Sequence, residues 1–316
     1  MNAPIPPKSP ISLSPPLQDG MTCEVAFRTM AMHYLHQLTA RHLAALAGGL
    51  DAVHAMRVAL TRLRTSILFF APMLAGAEQV QLIAELKWLN AHLGMVRDLD
   101  VALERLAKSK KRQTKVRKTW IQERTACHRL LARALRSARY RRLIGDVTAW
   151  VAQGDWTRSS HSKDREQRAQ PVTSYSTRKL KDWRKKLLKK SRKLEDVGAK
   201  KRHRLRLINK RMSYATESVT YLIPAAEVAI QKATLKLLRK AQRSLGRLND
   251  DERFHSLVAT LGESKATGGG LLLGLRQKKR LLRRAASAYD ELSELEPLRI
   301  SNPQLPLRLL DDDTGH

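Results

Sequence analysis

Apolar residues recur at intervals of three and four from Met21 almost to the end of the chain. This spacing places them on one face of an α-helix, and the residues between them are mostly good helix formers. No segment shows the alternation of apolar and polar residues, bounded by turn residues, that is typical of a β-strand. The pattern predicts an all-α fold with helices over residues 22–46, 50–70, 77–93, 96–108, 114–152, 178–195, 200–222, 225–246, 249–261 and 270–295.

Three stretches of the chain lack this periodicity. Residues 1–20 are rich in Pro and Ser and predict a flexible tail, and residues 297–316 predict a second one. The polar stretch 154–177 predicts a linker between two halves. The predicted organisation is one helical domain over residues 21–296, with a first half over 21–153 and a second half over 178–296.

The two halves share two motifs in the same order. Residues 54–64 (HAMRVALTRLR) and 203–213 (HRLRLINKRMS) each begin with His, followed three residues later by Arg and then by an aliphatic residue. Further on, each half has a Leu-Gly pair, followed by Arg97-Asp98 in one half and by Asn249-Asp250 in the other. The interval from His to Asp is 44 residues in the first half and 47 in the second. This match predicts a duplicated helical unit.

The cations of the His-x-x-Arg motifs fall beside the apolar stripe of their helices. In the first half, the predicted core stripe is Val53, Met56, Leu60, Leu63, Ile67 and Phe70, and the stripe beside it is His54, Arg57, Thr61 and Arg64. In the second half, the corresponding polar stripe is His203, Arg206, Lys210, Ser213 and Glu217. Cations at the edge of a core stripe lie near a seam between helices, which suits a charged groove.

Composition adds a strong positive charge to this picture. Lys and Arg total 60 against 29 Asp and Glu, which gives a net charge of +31 and indicates an anionic partner. Nucleic acid, an anionic lipid surface and polyphosphate all fit this charge. The run over residues 178–204 is the densest, with fourteen Lys or Arg and three acids, and includes Lys179, Arg184, Lys186, Lys190 and Lys193. We expect this run to widen the basic field.

The same composition predicts a cytoplasmic protein. Cys23 and Cys127 are too few for a disulfide framework. The apolar stretches are too short to span a membrane, and residues 1–20 lack the apolar run of a signal peptide.

The motifs resemble those of the CHAD family, the conserved histidine α-helical domain, over about residues 21–295. The matching residues of the first half are His54, Arg57, Arg62, Arg64, Trp88, Leu93, Gly94, Arg97, Asp98, Asp100 and Val101. Those of the second half are His203, Arg206, Lys210, Tyr214, Glu217, Gln242, Leu245, Gly246, Asn249 and Asp250. The chain departs from the family pattern at Thr61 and Ser213, where a basic residue is usual.

The resemblance implies two helical bundles related by pseudo-twofold symmetry around a basic groove that binds inorganic polyphosphate, and association with polyphosphate granules. The predicted polyphosphate-binding residues are His54, Arg57, Arg62, Arg64, Lys87, Arg97, His203, Arg206, Lys210 and Arg211. The predicted supporting residues are Asp98, Asp100, Tyr214, Glu217, Asn249 and Asp250. Because we place Asp98 and Asp250 near helix starts, we expect them to cap helices and orient a neighbouring Arg.

Two other functions remain open at this point. Non-specific nucleic-acid binding fits the same charge, although aromatic residues make up only 5% of the chain and none interleaves with the His-Arg stripe. A metal-dependent phosphohydrolase is the second, but the two histidines have no H-x-x-x-H or Cys partner and no acidic metal cluster stands out. We therefore predict a binding protein, not an enzyme, with no metal and no cofactor.

Overall fold

The computed structural model describes residues 14–107, 114–159, 161–260 and 272–300. These ranges contain no β-strand, which confirms the all-α prediction. The helices are α1 (Cys23–Thr39), α2 (His42–Leu46), α3 (Leu50–Phe69), α4 (Ala77–Ala107), α5 (Thr114–Arg136), α6 (Ala138–Gln153), α7 (Ser162–Ala169), α8 (Val172–Ser191), α9 (Ala199–Ser218), α10 (Val228–Thr260) and α11 (Leu275–Glu294). None of them is long and apolar enough to cross a membrane.

The apolar face of α3 forms the centre of the core. All six residues of its predicted core stripe are buried, and Met56, Leu60 and Leu63 are completely inaccessible. The core continues without a break through Leu205 and Met212 of α9 and along α10 and α11. Both halves of the chain therefore share one apolar core.

Two predicted helix breaks are absent. Helix α4 runs through Gly94, and α10 runs through Gly246, so Asp98 and Asp250 lie inside helices and cap neither of them. Conversely, the predicted helix over 114–152 is divided at Ser137, whose hydroxyl accepts a hydrogen bond from the backbone N–H of Tyr140. A side-chain cap of this kind satisfies a free N–H group at the start of the new helix.

The predicted linker over residues 154–177 contains α7 and the start of α8. This segment is held to the first helix, because the N–H of Cys23 donates to the carbonyl of Gln170 at 2.8 Å and the N–H of Val172 to that of Met21 at 2.9 Å. Trp156, at the start of the segment, is 3% exposed. The segment is thus largely helical, and its role as a linker between two halves stays a prediction.

The described parts of the two predicted tails also pack on the domain. Leu17 is buried, and the hydroxyl of Ser14 donates to the backbone carbonyl of Glu217 at 2.9 Å. At the other end, Leu298 and Ile300 are buried. The remainder of both predicted tails, residues 1–13 and 301–316, lies outside the described residues.

Four helices meet where the predicted site lies. Helix α3 packs against α4 and α9, and α10 packs against the same two helices. The two His-x-x-Arg motifs, on α3 and α9, are thereby brought together with the two Leu-Gly motifs, on α4 and α10. The duplication of the helical unit itself stays a prediction.

Candidate functional site

A groove lies between α3, α4, α9 and α10. Its charged lining consists of five arginines and two aspartates, and Val101, Ala102 and Phe254 form its apolar part. The charged residues are Arg57, Arg97, Arg105, Arg206, Arg253, Asp98 and Asp250. The excess of arginine over aspartate makes this groove suitable for an anion.

We call Arg57, Arg206 and Lys210 the groove cluster. The two arginines line the groove, and Lys210 lies close enough to both for their charges to lower its pKa. Arg57 comes from α3, whereas Arg206 and Lys210 come from α9, and all three are half-buried. Burial lowers the pKa of Arg57 and of Arg206, the charge of Arg97 lowers that of Arg57 further, and the charge of Arg57 lowers that of Arg206. The carboxylate of Asp250 acts in the opposite direction on both arginines, although it forms an ion pair with neither of them.

The charged form of Lys210 is the least stable of the three. Burial, followed by the charges of Arg57, Arg206 and Arg62, lowers the pKa of Lys210 to about 7. Its ammonium lies 5.3 Å from the centre of the Tyr214 ring, a weak cation–π contact. Among the described residues, no carboxylate forms an ion pair with Lys210, Arg57 or Arg206.

Two of the groove arginines, Arg57 and Arg206, also have hydrogen-bond donors that no described residue accepts. The Nε–H of Arg206 is buried without a hydrogen-bond partner. Neither Arg57 nor Arg206 donates a side-chain hydrogen bond to any residue that the structure describes. A buried donor without a partner loses the free energy of its hydration, so these groups favour an incoming acceptor.

The two motif histidines have different surroundings. His54 is exposed beside the groove cluster, and partial burial together with the charges of Arg97, Arg57 and Lys210 lowers its pKa. His203 is half-buried, and its Nδ1 lies 2.7 Å from Oδ1 of Asn249. Because that oxygen can only accept, Nδ1 of His203 donates and the ring is held against α10.

The rim of the groove is held by ion pairs between α4 and α10. Asp98 pairs with Arg253, and Arg105 pairs with Asp251 at 2.7 Å. The sequence did not predict Arg105, Asp251 or Arg253 as site residues, because none of them belongs to a shared motif. Helical spacing could have found Arg253, which follows Asn249 by one turn of α10.

Arg62 lies outside the groove cluster, although it was predicted to bind. It is 5% exposed, and its guanidinium donates to Glu217 at 2.5 Å. The guanidinium carbon also lies 4.5 Å from the Tyr214 ring centre and 5.8 Å from that of Tyr34. Burial opposes the charge of Arg62, but Tyr34 and Glu217 outweigh it and raise the pKa.

The remaining predicted binding residues lie at the edges of the site. Arg64 is close enough to Arg211 for the charge of Arg211 to add to burial in lowering the pKa of Arg64. Arg97 reaches Glu104 at 3.2 Å. Lys87 is exposed on α4, ten residues before Arg97 and about 15 Å from it along the helix axis.

Three of the four predicted supporting acids act as ion-pair partners, and Asp250 forms no ion pair with a described residue. Asp100 is buried and accepts from Arg124 of α5 at 2.6 Å, which fixes α5 against α4. Glu217 accepts from Arg62 and from Arg239. Within the described ranges, no group of three or more His, Cys, Asp or Glu residues is placed to hold a metal ion.

Arg184 of the basic run over 178–204 has a structural role. Its guanidinium donates to the backbone carbonyls of Leu292, at 2.6 Å, and of Leu295. It thereby satisfies carbonyl groups at the end of α11, which have no partner within the helix. Lys179 packs 5.9 Å from the ring centre of Tyr175. These two residues of the run therefore serve the fold.

This architecture is similar to that of known proteins. The model of the CHAD domain matches residues 29–259. The crystal structure of the CHAD domain from the plant Ricinus communis has a TM-score of 0.74 and 22% identity, covering 93% of this chain and 100% of that one. PptA from Streptomyces chartreusis has a TM-score of 0.56 and 15% identity, covering 86% of this chain and 95% of that one.

No curated protein sequence matches the chain. At identities below 25%, the two solved structures establish the fold and nothing further. The family match spans most of the 316 residues and includes both His-x-x-Arg motifs and both Leu-Gly motifs. The chain belongs to the CHAD domain family.

Proposed function

We propose that the groove binds inorganic polyphosphate and that the groove cluster makes its main contacts. The observation that carries this proposal is that Arg57, Arg206 and Lys210 converge, half-buried, without an ion-pair partner among the described residues. Membership of the CHAD family, which is linked to polyphosphate binding, gives independent support.

The electrostatics of the groove favour a polyanion. Three half-buried cations repel one another, so the free protein carries an unfavourable energy that an anion removes on binding. A guanidinium group donates two parallel hydrogen bonds to phosphate oxygens, whereas the lysine ammonium acts as a compact point charge. Polyphosphate offers such oxygens at every unit and has no base or sugar to accommodate.

Residues around the cluster extend the proposed site. Arg97, Arg105 and Arg253 line the groove and add positive charge where a chain would enter, and His54 lies beside them as a further proposed contact. Arg64, Arg211 and Lys87 remain proposed contacts further along the path of a chain, and His203 remains a proposed contact beside Asn249. We assign Arg62 a supporting role, because Glu217 already uses its charge.

Binding without chemistry is the activity that we propose. A domain that holds polyphosphate would associate with polyphosphate granules in the cytoplasm. If purified protein released phosphate from polyphosphate in the presence of Mg²⁺ or Mn²⁺, the proposal of a purely binding function would fail.

The direct test is calorimetric titration of a short polyphosphate of defined length into wild-type protein and the Arg57→Ala/Arg206→Ala variant. We expect the variant to bind about 100-fold more weakly, because it loses two charge-assisted sets of hydrogen bonds. The matched control is Arg133→Ala/Arg136→Ala on the exposed side of α5, which removes the same charge. Equal affinity of the groove variant and this control would place the site elsewhere.

Nucleic acid is the alternative ligand, and its competition with polyphosphate is a separate test. At equal concentrations of phosphate, neither long DNA nor RNA should displace polyphosphate from the wild-type protein. Efficient displacement by either of them would instead favour a non-specific nucleic-acid-binding function.

A further inference from the structure

We propose that a second basic surface continues the groove and holds the part of a long polyphosphate chain that extends beyond it. This surface, the basic end, comprises the exposed Lys and Arg residues of ranges 189–193, 200–204 and 276–284. It rests on the proposed function of the groove and adds a consequence: affinity rises with the length of the chain.

Three ion pairs bring these ranges to the same end of the molecule. Lys278 of α11 pairs with Asp251 at 3.0 Å, and Arg202 of α9 pairs with the neighbouring Glu252 at 2.5 Å. Glu195, in the turn after α8, lies 3.8 Å from Arg283 of α11. The end of α8, the start of α9 and the first half of α11 therefore form one surface around α10.

The basic end begins where the groove ends. Asp251 and Glu252, which anchor α11 and α9, directly precede Arg253 and Phe254, which line the groove. Asp251 also accepts a hydrogen bond from Arg105 of the groove. A flexible anion that leaves the groove past Arg253 would thus reach the basic end.

Most charges of the basic end have no ion-pair partner in the described part of the fold. It carries twelve exposed Lys and Arg residues, of which only Arg283 forms an ion pair within the described part of the chain. The other eleven add to the repulsion within a chain that already has a net charge of +31. A polyanion would relieve this repulsion.

The charge distribution of α11 is opposite to the one that stabilises a helix. Its first half carries six Lys or Arg residues, its first turn has no acid, and its last two turns carry Asp290, Glu291 and Glu294. Helices are stabilised by acids near the N-terminus and by cations near the C-terminus. Helix α1 follows that rule, with a Thr22 cap, Glu24 in the first turn and His36 in the last. Since the cations of α11 oppose helix stability, we infer that they serve binding.

The chemistry of the basic end fits polyphosphate better than single-stranded nucleic acid. Its three ranges contain no Phe, Trp or Tyr on which a base could stack. They present mainly ammonium and guanidinium groups, which pair with the oxygens of phosphate. A polymer that consists only of phosphate matches this surface and the groove equally.

The test compares triphosphate with long-chain polyphosphate on a variant that carries Arg276→Gln, Lys279→Gln, Arg280→Gln and Arg284→Gln. Gln favours helices, and the change removes charges that oppose the dipole of α11, so the variant should fold. We expect its affinity for the long chain to fall at least about tenfold, with a shallower salt dependence, because fewer phosphates are neutralised. Its affinity for triphosphate should remain that of the wild type.

The matched control replaces four exposed arginines of α5 and α6 by Gln, namely Arg129, Arg133, Arg136 and Arg142. This control changes the net charge equally and should retain the wild-type affinity for both lengths. An equal loss in the control, an unchanged affinity of the α11 variant for the long chain, or its equal loss for triphosphate would overturn the inference. The same holds if the α11 variant loses only the binding of duplex DNA.

A failure of the groove itself has a different signature. If Arg57→Ala/Arg206→Ala left the affinity for triphosphate unchanged, the proposed function would fail, whatever the α11 variant did. If that groove variant lost triphosphate while the α11 variant kept the long chain, only the inference about the basic end would fail.

Discussion

Arg57 and Arg62 lie on the same helix, within two turns of each other, yet their charges have different surroundings. Arg62 is enclosed by Tyr34 and Tyr214 and pairs with Glu217, so the chain itself satisfies its charge. Arg57 faces Arg206 and Lys210 and has no ion pair among the described residues. Where a buried cation has an acid partner, its removal should cost stability. Where it lies among other cations and no acid pairs with it, its removal should cost binding instead.

The largest expected effect is the loss of stability when Arg62 is replaced. Arg62→Ala leaves Glu217 partly buried without its closest partner and should lower the free energy of unfolding by about 3 kcal/mol. Arg57→Ala should change it by less than about 1 kcal/mol, because no ion pair is lost. Urea denaturation of both variants measures the difference. Similar losses in the two variants would contradict the comparison.

Removal of a groove charge should even stabilise the free protein. Because the pKa of Lys210 is about 7 in the folded state and 10.5 by the ordinary value, the unfolded chain binds more protons between these pH values. The contribution of Lys210 to stability therefore rises from pH 7 to pH 10 and is unfavourable below pH 7.

Lys210→Met, which keeps the aliphatic stem, should accordingly be more stable than the wild type at pH 6, by about 2 kcal/mol. The difference should disappear towards pH 10. Thermal unfolding at several pH values provides the measurement. A Met variant that is less stable than the wild type at pH 6 would show that Lys210 has a stabilising partner.

The affinity for a short polyphosphate should depend on pH through the same lysine. A bound anion raises the pKa of Lys210, so the complex binds more protons than the free protein above pH 7, and affinity falls as pH rises. We expect about a tenfold loss between pH 7 and pH 9. Lys210→Arg keeps the charge over this range and should lose most of the dependence, whereas an identical pH profile would exclude Lys210 from the site.

The two motif histidines should give the smallest effects. His203→Ala loses the hydrogen bond to Asn249 and should reduce stability by about 1 kcal/mol. His54→Ala should leave stability unchanged and weaken polyphosphate binding a few-fold at pH 6, where an anion favours the charged imidazole. Unfolding and binding should be measured on both variants. A loss of stability in His54→Ala, or a loss of binding alone in His203→Ala, would contradict these roles.

Much of the fold could be predicted from the periodicity of the chain, because burial of an apolar stripe dictates which face of each helix turns inward. The helix end that was predicted at Gly94 is wrong. The neighbouring Leu93 and Val96 are buried, and their packing maintains the helix through a residue that favours its end.

The site was less predictable, because the motif does not distinguish a paired arginine from an unpaired one. Glu217, which pairs with Arg62, lies 155 residues further along the chain. Arg253 and Asp98, at the rim of the groove, are separated by the same interval. Helical spacing can place one residue on the face of a site, but it does not show which residues of distant helices pair, so only the fold reveals that Arg62 is satisfied and Arg57 is not.

Proton uptake on binding tests the central claim most directly. At pH 8 a lysine with a pKa near 7 is about nine-tenths neutral, and a polyanion in the groove should protonate it. Calorimetric titration of triphosphate, in two buffers of different ionisation enthalpy, counts the protons taken up. We expect an uptake approaching one proton by the wild type and almost none by Lys210→Arg. The same uptake by both proteins, or none by either, would contradict binding at the groove cluster.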